Sequence, residues 1–156
     1  MYPESDIDLN RETDDAVYFF TPAFHPLDNF SAHSIHIWGI DFPTAEHAFQ
    51  WKKFSTFNPD IAKRIATAKS PHAVKEISEA NKSEVTKDWF DIRASVMEEI
   101  LRSKVSQHED VKEILLKTGS RGIIENSPVD SYWGIGIGGS GQNMLGKIWM
   151  KIRETL

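Results

Sequence analysis

The chain has 156 residues, 40% hydrophobic and 26% charged, with a formal net charge of −5 and no cysteine. That length suits one domain with a real core, and the missing cysteine excludes disulfides, thiol nucleophiles and thiolate metal sites. The acidic balance argues against a broad non-specific nucleic-acid surface, and no apolar run is long enough to cross a bilayer.

Residues 1–15 carry six acidic side chains, from Glu4 to Asp15, and little to bury. They read as a mobile or loosely tied arm ahead of a single domain, 16–156. No apolar signal segment is present there, and with no cysteine a cytoplasmic protein is expected. Val17–Phe20 is a short β-prone run. Ser34–Trp38, a turn at Gly39 and Ile40–Phe42 predict two more short strands. Thr44 is a good N-cap for a helix to about Phe54. Asn58-Pro59 and Ser70-Pro71 each pair a cap with a first-turn proline, starting helices to about Ala66 and Ser78. Trp89, Ile92, Val96, Ile100 and Leu101 recur at helical spacing along 88–105. A helix over 109–117 ends at Gly119, where glycine permits a left-handed turn. Gly122–Glu125 is a short strand, and 144–156 a final amphipathic helix. The fold class is mainly α with a small β-sheet, α+β.

Two stretches carry candidate chemistry. On the first helix, Glu46, Gln50 and Lys53 share one face at spacings of four and three. They make either a solvated polar stripe, the commoner outcome, or a pocket wall bearing a carboxylate, an amide and an amine. His47 reads as a capping or packing residue, and no His-Glu-x-x-His spacing suggests zinc. Trp89 is a core anchor or a wall for stacking a base. Arg93 binds phosphate or pairs with Asp91 or Glu98. The second stretch is Asp130–Asn143, where five of the nine glycines fall between Gly134 and Gly141. Trp133, Ile135 and Ile137 interleave with them, which indicates a packed loop whose backbone approaches something closely. Asp130 is a turn residue or an acid. Asn143 stands where a helix cap belongs, and the helix start would favour an anion. Neither a Walker A loop nor a dinucleotide fingerprint is present.

Taken in order, several blocks resemble the YbiA-like, or NADAR, family of N-glycosidases. They are Pro26–Phe30, Thr44–Phe54, Trp89 with Arg93 and Met97, Lys104, Leu116–Gly119, Glu125 with Asp130–Gly136, and Gly141–Lys147. The likeness runs from about Phe19 to the C-terminus. Asp28, Trp51, Lys52 and Val105 depart from the family pattern without removing a presumed catalytic group. The resemblance implies a mainly helical fold and hydrolysis of an N-glycosidic bond between a ribose and a nitrogen base. Its substrates are phosphorylated ribosylamino-pyrimidine intermediates of riboflavin synthesis, or ADP-ribose on guanine in nucleic acid. No membrane partner, metal or cofactor enters the scheme.

Loss of a base develops positive charge on the sugar, which a carboxylate can stabilise, or relieve by activating water. Glu46 and Asp130 are the candidate carboxylates. Lys53 is assigned to positioning a phosphate or hydroxyl, or to attack at the sugar carbon as a Schiff-base former. Gln50, Trp89, Arg93, Trp133, Gly134, Gly136 and Asn143 are expected to bind substrate, and the resemblance adds Asn29, Phe30 and Lys104. The rival reading is a non-catalytic module that binds ADP-ribose or a nucleotide.

Overall fold

The computed structural model describes residues 9–21 and 24–156. Three helices begin where the cap signals place them. Thr44 Oγ1 accepts from the His47 amide at 3.2 Å, Asn58 Oδ1 from Ile61 at 3.2 Å, and Ser70 Oγ from Ala73 at 3.1 Å. Each bond satisfies an amide that has no partner inside its helix. The helices so started are α1 (Ala45–Ser55), α2 (Pro59–Ala66) and α3 (Pro71–Ala80). A long α4 (Lys87–Gln107), α5 (Glu109–Lys117) and α6 (Met144–Glu154) follow. Among the described residues no helix is long and apolar enough to cross a membrane.

Two compact units make up the chain, one of the residues up to Ser31 with His108–Leu156, the other Ala32–Gln107. The second unit opens with a hairpin of β3 (Ile35–Ile37) and β4 (Ile40–Phe42), paired Ile35 to Phe42 and Ile37 to Ile40. Its two-residue turn puts Trp38 and Gly39 in the left-handed region, at φ 54° and 77°, as a tight hairpin turn requires. Helix α1 packs against α2, α3, α4 and the hairpin. Phe54 joins Ile61, Ile65 and Val74 in the core, and Phe49 meets Trp89 of α4 with ring centres 5.1 Å apart. Because neighbours surround it, α1 buries polar positions as well as apolar ones.

In the first unit β1 (Arg11–Glu12) pairs antiparallel with β2 (Ala16–Phe19), and β2 runs parallel to β5 (Gly122–Glu125). Residues 1–8 of the acidic arm lie outside the described residues. Helix α6 covers β5, α5 packs on α6, and the buried Trp149 donates its indole N–H to the Leu27 carbonyl at 2.9 Å.

Side-chain amides complete backbone pairing in both units. Asn10 accepts from the Phe20 amide at 2.9 Å and donates to its carbonyl at 2.8 Å. Gln107 makes the same pair of bonds with His36, both at 2.8 Å. Asn143 accepts from the Glu125 amide and donates to the Ile123 carbonyl, both at 2.9 Å. Each amide stands in for a strand neighbour, and edge groups left bare would invite pairing with another chain. Asn143→Ala leaves two β5 backbone groups without these partners in a residue that must hold φ 51°. Its expected cost is about 2 kcal/mol or more, read as a lowered urea midpoint with an unchanged slope.

Candidate functional site

Glu46, Gln50 and Lys53 lie on one face of α1, and that face is not solvated. Glu46 is 8% exposed and Gln50 9%. The Gln50 side-chain N–H donates to Glu46 Oε1 at 2.9 Å. Across the helix boundary, Ser78 of α3 donates its hydroxyl to Gln50 Oε1 at 2.8 Å, and Lys53 Nζ donates to Ser78 Oγ at 3.1 Å. An amine, a hydroxyl, an amide and a carboxylate thus form one continuous hydrogen-bonded chain over two helices. Ser78 is a member that motif reasoning missed. Its one signal is position: four residues after the core residue Val74, it falls on the buried stripe of α3.

The electrostatics of this face centre on Lys53. Burial pushes its ammonium below the usual lysine range; the carboxylates of Glu46 and Glu79 oppose that fall, and Arg93 adds to it. Desolvation penalises the charged amine more than the two carboxylates restore it. Such a lysine is a better proton donor than a surface lysine, and a larger share of it is neutral and able to act as a nucleophile at a given pH. On the same helix His47 is 1% exposed and locked at both ring nitrogens, Nδ1 to Thr44 Oγ1 at 2.8 Å and Nε2 to the Ala68 carbonyl at 2.9 Å. The carbonyl can only accept, so Nε2 carries the proton and Nδ1 receives the threonine hydroxyl in the neutral ring. His47 is therefore the packing and capping residue that its position suggested.

The long helix contributes differently from its pattern. Trp89 is 5% exposed and packed on Phe49, so most of its surface is core. Arg93 lies over the Phe90 ring at 5.0 Å, while Glu98 pairs with Arg102 at 3.0 Å. Phe90, at 56% exposure, is the solvent-facing aromatic of that turn. Lys104 is wholly buried.

The Asp130–Asn143 loop and the Pro26–Phe30 turn belong to the other unit. Buried Asp28 accepts from the Thr21 hydroxyl at 2.7 Å and from the Phe30 amide at 2.8 Å, building the turn that holds half-buried Asn29 and Phe30. Asp130 Oδ1 accepts from the amides of Tyr132 and Trp133 at 2.9 and 2.8 Å, the turn-forming role open to an aspartate. Half-buried Trp133 meets Tyr132 edge to face.

The glycines do make close approaches, to the end of β5 and to the loop's own residues. A Cβ at Gly134 would come within 2.7 Å of the Glu125 carbonyl, one at Gly136 within 2.9 Å of Ser131 Cβ, and one at Gly141 within 2.6 Å of the Gly134 carbonyl. The expected anion site at the start of α6 needs correction. The Met144 and Leu145 amides donate to the Tyr132 and Trp133 carbonyls, each at 3.0 Å. Asn143 occupies the cap position, yet its side chain makes no capping bond and serves β5 instead. Amides that already donate to carbonyls are not on offer to a phosphate.

The sequence profile of the NADAR domain matches residues 10–156. This chain belongs to the NADAR family. It is 34% identical over 143 residues to N-glycosidase Npun_R5314 of Nostoc punctiforme, covering 90% of this chain and 92% of that protein. It is 32% identical over 139 residues to N-glycosidase YbiA of Escherichia coli K12, covering 89% and 86%. The NMR structure of E. coli YbiA superposes with a TM-score of 0.80 at 30% identity, over 94% of this chain and 88% of that one. Riboflavin biosynthesis protein VVA0006 of Vibrio vulnificus is 34% identical over 142 residues, which cover 90% of this chain and 38% of that longer protein. The α+β architecture expected from sequence is thus the fold of the NADAR family.

Burial holds the His47 pKa below its ordinary 6.5, against the opposing bond to Ala68. The unfolded chain therefore binds a proton there before the folded chain does. His47 contributes stability that is complete above about pH 6.5 and is lost as pH falls through the lower folded value. Thermal melts of wild type and His47→Gln should show a gap that narrows from pH 7 to pH 5; a gap constant over that range contradicts the neutral assignment.

Proposed function

We propose that this protein hydrolyses the N-glycosidic bond of phosphorylated ribosylamino-pyrimidines, with Glu46 as the reacting carboxylate and Lys53 as its charged partner. The observation that carries the reading is the buried chain from Lys53 through Ser78 and Gln50 to Glu46. A carboxylate this buried, oriented by an amide and sharing its face with an amine of depressed pKa, is arranged for chemistry more than for solubility. The relatives named N-glycosidases support hydrolysis as the reaction, and the relative named for riboflavin biosynthesis favours the pyrimidine substrate. The net charge of −5 also favours a small free metabolite over duplex nucleic acid. We place the activity in the cytoplasm.

In this scheme the bond from the anomeric carbon to nitrogen breaks, and its electron pair leaves with the base. Positive charge builds on the ribose ring carbon and oxygen, where the Glu46 carboxylate stabilises it. Water then adds to the anomeric carbon and passes a proton to Glu46; the departing nitrogen takes a proton from solvent and Glu46 returns its own to solvent, so one water is added across the bond. The products are a ribose phosphate with a free anomeric hydroxyl and the free aminopyrimidine. Lys53 holds the phosphate or a sugar hydroxyl by charge and hydrogen bond. Asp130, with Oδ1 engaged by two amides, acts on the loop carrying Trp133. Gln50, Arg93 and exposed Phe90 furnish binding surface beside Lys53.

Glu46→Gln keeps the shape of this face and removes its negative charge. Base release followed by chromatography should fall about 10²- to 10⁴-fold, with substrate affinity changed little. Release at the wild-type rate would remove Glu46 from the mechanism. Retained binding with lost turnover separates an enzyme from a nucleotide-binding module.

A further inference from the structure

We propose that Ser78 is a positioning residue for this site: its hydroxyl links Lys53 to Gln50 and steadies the amide that faces Glu46. The inference rests on the reading of Glu46 and Lys53 as the reacting pair. An ammonium has donors and no acceptor, so at 3.1 Å Lys53 Nζ must donate to Ser78 Oγ. The hydroxyl then has one proton left to place, and Gln50 Oε1 lies 2.8 Å away to receive it. With its carbonyl held on that side, Gln50 turns its N–H toward Glu46 Oε1 at 2.9 Å, an orientation suited to a carboxylate. Every link runs one way, from the cation to the anion.

Without the hydroxyl the Gln50 carbonyl loses its donor, and of the two bonds in the chain that hold the amide only the one to Glu46 remains. The carboxylate only accepts, so the N–H still faces it, but the amide is free to tilt about that single bond. Ser78 is 3% exposed, and the space one oxygen leaves is too small for a replacing water. Lys53 would also lose an acceptor that favours its charged form. The charges that act on Lys53 come from each helix concerned: Glu46 on α1, Glu79 on α3 and Arg93 on α4. Ser78 connects α3 to this set without carrying charge, so its removal breaks the link and leaves the net charge unchanged.

The test is an NMR titration of the Lys53 ε-carbon in wild type, Ser78→Ala and Ser78→Thr, with melting temperature and base release measured on the same samples. In Ser78→Ala the Lys53 midpoint should fall by about half a unit or more. Turnover should drop about tenfold in kcat with KM within about twofold, and Ser78→Thr should restore the midpoint. If Ser78→Ala does not fold, Ser78→Cys, a weak donor and acceptor, should give the same direction of shift. A midpoint that stays at the wild-type value, or a loss of melting temperature alone, overturns the inference. If wild-type protein releases no base, the proposed function fails while the titration still decides the role of Ser78.

Discussion

A carboxylate taken out of water must find partners or lose its charge, and that constraint organises the α1 unit. Helix α1 is enclosed by α2, α3, α4 and the β3–β4 hairpin, so Glu46 and Gln50 could not stay on its surface as solvated residues. Their burial is tolerated because each meets a matched group, ending at a lysine that burial itself makes less basic. The same enclosure locks His47 at both nitrogens and fixes the start of the helix. Leaving one member of a buried polar chain unmatched costs more than the chain contributes when complete. The four side chains therefore stand or fall together.

The other unit solves a backbone problem. Its glycine-rich loop folds back on itself, and Gly134, Gly136 and Gly141 allow close approaches that a side chain would prevent. The loop carbonyls then satisfy the first amides of α6, and Asn143 completes the pairing of β5. In its hydrogen bonds the glycine loop is a brace between a strand and a helix. The exposed part of the loop is its tip, where Ile137 is 84% exposed and Gly138 has open space around it.

Much of this was legible in the sequence where the cause is local. Caps at Thr44, Asn58 and Ser70 mark helix starts because each hydroxyl or amide bonds an amide three residues on. The Gly119 turn is equally local, with φ 62°. The shared face of Glu46, Gln50 and Lys53 follows from helical spacing alone. Its burial does not, because a helix surrounded by others lacks the one-sided apolar stripe that usually marks an interior face. Ser78 was invisible for a related reason: a lone serine on α3 gains meaning only when α1 is packed against it. The glycine run announced a close approach, but its partners, Glu125 and Ser131, carry no sequence signal that they would be the neighbours. Trp89 and Phe90 show the same limit. Adjacent aromatics on one helix divide between core and solvent, and only packing decides which faces out.

The central claim is that the α1 face performs N-glycosidic hydrolysis on a small phosphorylated riboside. The most direct measurement exposes the wild-type protein, in parallel, to a ribosylamino-pyrimidine phosphate and to an oligonucleotide bearing ADP-ribosylated guanine, and quantifies released base or released ADP-ribose. The account predicts multiple-turnover release of free aminopyrimidine from the first and no comparable release from the second. Release of ADP-ribose from the oligonucleotide with an inert pyrimidine riboside would contradict the substrate, and no release from either would contradict the reaction.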